Sequence, residues 1–126
     1  MRSFTFDHNG QEHTLSATFA AAEEIAQKVA DPLFMAREAS IEARMAEAGL
    51  VYQPKFIFSV ANLPLILGAG LKAAGSTLTR DAVKAMVFDM GLVEAKDLAS
   101  RYVAMIVTPK SERPVEAAEG DATPGE

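Results

Sequence analysis

The stretch FIFSVANLPLILGAGLKAAG, residues Phe56–Gly75, sets the reading of the whole chain. It is almost all apolar, yet Pro64, Gly68 and Gly70 interrupt it, and from Phe56 to Leu71 it falls short of the roughly 20 apolar residues that span a bilayer. A buried core helix reaching Ala74 is therefore expected, with Asn62 as a cap, Pro64 in the first turn and Gly75 at the end. Gly68 and Gly70 each cost about 1 kcal/mol of helix propensity against alanine, so close approach of another backbone is expected there. Leu67 and Leu71 are placed in the core with Ile66.

Upstream, residues 3–16 alternate apolar and polar about Asn9-Gly10, the dipeptide best suited to the positive φ angles of a type I′ turn. A hairpin follows in which Phe4 faces Leu15 and Phe6 faces His13. A lone hairpin is marginal in water, so its apolar face must pack on helices or on a partner. Thr18 caps a predicted helix to about Ala30, with Phe19, Ala22, Ile25, Ala26 and Val29 on one side. Asp31-Pro32 opens a second helix that runs to Ala48 before Gly49 stops it. Downstream, Thr79 caps a short helix aligning Val83, Met86, Val87 and Met90, ended by Gly91. A last helix, about Val93 to Val107, aligns Ala95, Leu98, Tyr102, Met105 and Ile106. The expected fold is α-rich (α+β): an N-terminal β-hairpin and about five helices in one domain, residues 1–107.

From Thr108 to Glu126 the sequence has three prolines, two glycines, five acids, two bases and one large apolar residue, Val115. Residues 108–126 are accordingly expected to be a disordered acidic tail. The chain of 126 residues is 49% hydrophobic and 23% charged, enough to bury one core. A net charge of −5 argues against nucleic acid as a partner, since that affinity rests on Lys and Arg neutralising phosphates. Without cysteine, disulfides, thiolate metal sites and cysteine nucleophiles are all excluded. The N-terminus has no apolar run long enough for a signal peptide, so the expected location is the cytoplasm, with no membrane partner.

Chemistry finds little purchase in these residues. His8 and His13 share one hairpin face while Asp7 and Glu12 lie on the other, so fewer than the three or four ligands of a metal site converge. Gly68-Ala69-Gly70 lacks the spacing and the Lys-Ser/Thr pair of a phosphate loop. The two helices about Gly91 have the outline of a helix-turn-helix, but Arg80, Lys84, Lys96 and Arg101 are offset by Asp81, Asp89, Glu94 and Asp97. No serine or threonine has a base evident beside it, and no catalytic, cofactor or metal residue is assigned. The chain is read as a non-enzyme.

The weakest apolar stripe belongs to residues 32–48. Phe34, Ile41, Met45 and Ala48 align, Glu38 falls near the same side, and Leu33 and Met35 point away. Met86, Met90 and Met105 are read as core, whereas Met35 and Met45 fit either core or an adaptable binding surface. Leu33, Phe34, Met35 and Met45 are thus the candidate partner-binding residues, with self-association as the other way to cover them.

The order of a hairpin, then Thr18-Phe19-Ala20-Ala21-Ala22-Glu23-Glu24-Ile25, then Leu67-Gly68-Ala69-Gly70-Leu71-Lys72-Ala73-Ala74-Gly75, then Leu78-Thr79 opening a helix, resembles the small tail assembly chaperones of long-tailed phages. It is most similar to the branch found in gene transfer agents, over about residues 3–106. The segment from Asp31 to Pro54 is longer and more alanine-rich than in that family. The resemblance implies a protein that binds the long helical tape-measure protein while tail-tube protein polymerises around it, in the host cytoplasm and outside the finished particle. It carries over no catalytic residue. A structural head-tail connector or tail-completion protein is the alternative, and it would stay in the particle.

Overall fold

A computed structural model describes residues 2–108, and the expected disordered tail, from residue 109 on, lies outside the described residues. Strands β1 (Arg2–His8) and β2 (Gln11–Ala17) form an antiparallel hairpin, followed by α1 (Phe19–Lys28), α2 (Pro32–Glu47), α3 (Leu63–Ala73), α4 (Arg80–Met90) and α5 (Leu92–Val107). The strand register pairs Phe4 with Leu15 and Phe6 with His13, as the alternation predicts. Asn9 and Gly10 take φ of 53° and 75°, the left-handed pair that a type I′ turn requires.

Helix starts follow their caps. Thr18 Oγ1 accepts from the Ala21 amide at 3.1 Å, Asp31 Oδ1 from Leu33 at 2.8 Å and Thr79 Oγ1 from Ala82 at 3.1 Å. The central helix is shorter than the apolar run that predicts it, because residues 56–62 are not helical and α3 begins only at Leu63. Asn62 precedes it without a side-chain cap bond. Its amide side chain is spent upstream, accepting from Ser59 N at 2.8 Å and donating to the Ile57 carbonyl at 3.2 Å.

α3 lies at the centre, against β2, α1, α4 and α5, while α2 packs on α5 and α1. Ile66, Leu67 and Leu71 are buried in one core with Leu15, Ile25, Val87 and Tyr102. Tyr102 is wholly enclosed, and its hydroxyl donates to the Ser16 carbonyl at 2.6 Å, tying α5 to β2. A Cβ added at Gly70 would stand 2.8 Å from Leu15 Cδ2 and 2.9 Å from Tyr102 Cζ. The expected close approach is therefore real at Gly70, but side chains make it, not a backbone. At Gly68 the nearest atom is Val83 Cγ1 at 3.9 Å, an ordinary contact.

The α1 stripe is rotated from its predicted position. Ala21 and Ile25 are buried, Ala22 and Val29 half-buried, and Phe19 and Ala26 exposed. At about 100° per residue, Phe19 lies roughly 120° from Ile25, off the face that meets α3. The hairpin is held at both ends. Arg2 donates from its guanidinium to the Thr108 carbonyl and, at 3.3 Å, to that of Ile106, while His8 and Asn9 reach Asp89 on α4 at 3.0 Å and 3.3 Å.

Candidate partner-binding surface

The four residues singled out on α2 do not share a surface. Leu33 is 68% exposed, Met35 only 2%, and Phe34 and Met45 are half-buried. Leu33 and Met35 lie about 200° apart on a helix, so they point to opposite sides. The inward line of α2 is Pro32, Met35 and Glu38, and Met35 belongs to the core. The expectation that Leu33 and Met35 together form an outward face is corrected.

Glu38 explains why that inward line went unread. Its Oε1 accepts from the Tyr52 hydroxyl at 2.8 Å and from the Lys55 amide at 2.7 Å, two bonds that let a carboxylate turn inward. The Lys55 amide and then the Tyr52 hydroxyl hold the Glu38 carboxyl below its ordinary range. The same bond, with burial, pushes the Tyr52 hydroxyl up. This clasp pins the connector between α2 and α3. From Val51 to Ser59 the connector alternates outward and inward, with Tyr52, Pro54, Phe56 and Phe58 half-buried. The Phe56 and Phe58 rings meet edge to face at 5.2 Å.

The connector ends in a turn that presents Val60 and Ala61 to solvent. Ser59 and Asn62 bond reciprocally, with Asn62 N donating to Ser59 Oγ at 3.2 Å, and Leu63 N donating to the Ser59 carbonyl at 2.9 Å. Facing this turn, α4 turns Val83, Met86 and Val87 into the core, which leaves Phe88, one residue beyond Val87, on the outside. Gly91, at φ 99°, then bends the chain sharply enough for α5 to begin at Leu92.

The result is an open cleft of about 390 Å³ lined by Val60, Ala61, Pro64, Val87, Phe88 and Leu92, with Lys84 on its edge. Phe88 is 76% exposed and Val60 66%. Large apolar side chains grouped at one cleft are the usual mark of a protein-binding surface, whereas single exposed ones are commonplace. The sequence held a signal for this cleft. Phe88 falls off the apolar stripe of its helix, and an aromatic residue off its stripe must be solvated or covered from outside.

The histidines are engaged separately: His13 stacks on Phe6 at 5.4 Å, and His8 pairs with Asp89. Among the described residues, no three His, Asp or Glu side chains group as metal ligands would, and no helix is long and apolar enough to cross a membrane. Compared with known proteins, the chain matches no family model, no curated protein and no solved structure.

Proposed function

We propose that the chain is a non-enzymatic tail assembly chaperone of the gene transfer agent kind, which holds a tape-measure-like helical protein in soluble form while tail-tube protein assembles around it. One observation carries the reading: the Val60, Phe88 and Leu92 cleft exposes apolar surface that the chain's own core does not need. An amphipathic helix docks in such a groove by its apolar ridge, so that both partners lose exposed hydrocarbon. Lys84 at the rim suits an acid flanking that ridge. The order of hairpin, Thr18-Phe19-Ala20-Ala21 helix start and Gly68–Gly75 segment adds support through its likeness to tail assembly chaperones.

Co-expression with the tape-measure protein of the same gene cluster tests this. The wild-type chain is expected to move that partner from the pellet to the soluble fraction and to be missing from purified particles. Phe88→Glu with Val60→Glu is expected to lose the effect while remaining folded, since a charge is costly only where it becomes buried and unpaired. A wild-type chain that never solubilises the partner and is instead a stoichiometric part of the particle would make it a head-tail connector or tail-completion protein.

A further inference from the structure

A second cleft, of about 300 Å³, lies where α1, α3 and α4 meet, and its rim carries Glu24, Lys28, Lys72, Ser76, Thr77 and Arg80. Glu24 serves two cations at once: its Oε2 is 3.1 Å from Lys28 Nζ and its Oε1 is 3.6 Å from Lys72 Nζ. Among the described residues, Arg80 has no acid within ion-pair distance. Three cations against one anion leave the rim at +2 on a chain whose net charge is −5.

We infer that this basic cleft is the docking site of the chain's own acidic C-terminal segment. Residues 114–126 carry Glu116, Glu119, Asp121 and Glu126 and no base, the complement of the rim's excess of cations. Where the described chain stops fixes the reach. Thr108 is held by Arg2, which pairs with Ala17, and Ala17 leads through Thr18 into α1. Lys28 is the last residue of α1, so ten helical residues, roughly 15 Å, separate that end of the molecule from the cleft. The 18 residues beyond Thr108 span up to about 60 Å when extended, and tethering keeps the local concentration of their carboxylates high. Exposed ion pairs are individually weak and screened by salt, so occupancy is partial and salt-sensitive, and the segment does not support the fold.

The full-length chain provides the test. It has no cysteine, so Gly120→Cys accepts a single nitroxide label. At low ionic strength the label is expected to broaden the amide signals of Lys28, Lys72 and Ser76–Arg80, cutting their intensities by about half or more. At about 0.5 M salt, where the screening length falls to the order of 4 Å, those intensities are expected to recover. Glu116→Gln with Glu119→Gln and Asp121→Asn, which changes none of the described residues, is expected to remove the broadening at low salt. Lys28→Ser with Lys72→Ser and Arg80→Ser is expected to do the same from the other side. The inference is overturned if these amides are unaffected by the label, or if their broadening survives salt or the carboxylate substitutions. It is equally overturned if only added inorganic phosphate perturbs them.

Discussion

Gly68 and Gly70 sit two residues apart on α3 and are expected to answer a methyl group in opposite ways. Gly70→Ala forces a Cβ against Leu15 and Tyr102, both wholly buried, and is expected to cost about 1–3 kcal/mol in chemical denaturation. Gly68→Ala meets only Val83 at contact distance and is expected to be neutral or to stabilise by up to about 1 kcal/mol through helix propensity. The sequence marks both glycines alike, as helix residues needing compensation, because propensity is local and the ring of Tyr102 arrives from 32 positions away. Tyr102 itself offers a second check. Burial, with the charge of Glu24 adding to it, pushes its hydroxyl up, and the Glu38 bond raises that of Tyr52. Folded-state values raised above about 10 give stability that is complete below that pH and lost as pH rises. Ultraviolet titration of Tyr52→Phe, in which Tyr102 is the remaining tyrosine, is expected to show no tyrosinate near the ordinary pKa while the protein is folded, with Tyr102 ionising as it unfolds in base. Ionisation of Tyr102 at its ordinary pKa in the folded protein would contradict its enclosure.

Among the elements, α2 with its connector departs furthest from a reading by periodicity. A stripe of Phe34, Ile41 and Met45 is what an amphipathic helix should show, and Glu38 beside it looks like an interruption. The real inward line runs through that carboxylate because Tyr52 and Lys55, 14 and 17 residues on, bond to it. No pattern within one helix reports such partners, whereas the caps Thr18, Asp31 and Thr79, whose partners lie two or three residues away, were legible. The clasp has a pH signature. Glu38 is held below its ordinary range by the Lys55 amide and the Tyr52 hydroxyl. At Glu24 partial burial works upward, but the bond to Lys28 and the charges of Lys28 and Lys72 outweigh it. Depressed carboxyl pKa values give stability that is present above the unfolded value of about 4.3 and lost as pH falls through the folded values. Glu38→Gln is expected to lower stability near neutral pH and to flatten part of this acid loss, as followed by circular dichroism in denaturant at each pH. An unchanged acid slope would mean that the clasp is not formed in solution.

For the molecule as a whole, the hairpin, the order of five helices and most of the core could be read from the sequence, since local pattern decides each of them. The surface was legible only in part. Phe88 falls off the predicted α4 stripe and is exposed as that stripe implies, whereas Phe19 is exposed because α1 is rotated against its neighbours, a property of the packed assembly. Phe88→Ser and Val93→Ser are accordingly expected to leave stability within about 0.5 kcal/mol, since these side chains lie outside the core. Truncation after Thr108 is expected to shift the melting temperature by no more than a few degrees, because the removed segment has too little apolar surface to offset its ordering entropy.

The central claim, that the Val60, Phe88 and Leu92 cleft receives a helix of a tape-measure-like protein, is tested most directly by fluorescence anisotropy. A labelled helical segment of that partner is titrated with the wild-type chain, with Phe88→Glu and with Leu33→Glu. The wild-type chain and Leu33→Glu are expected to bind alike, and Phe88→Glu to bind at least about tenfold more weakly, a loss of about 1.4 kcal/mol or more. Equal binding by Phe88→Glu, or loss of binding only in Leu33→Glu, would contradict the claim and move the contact to α2.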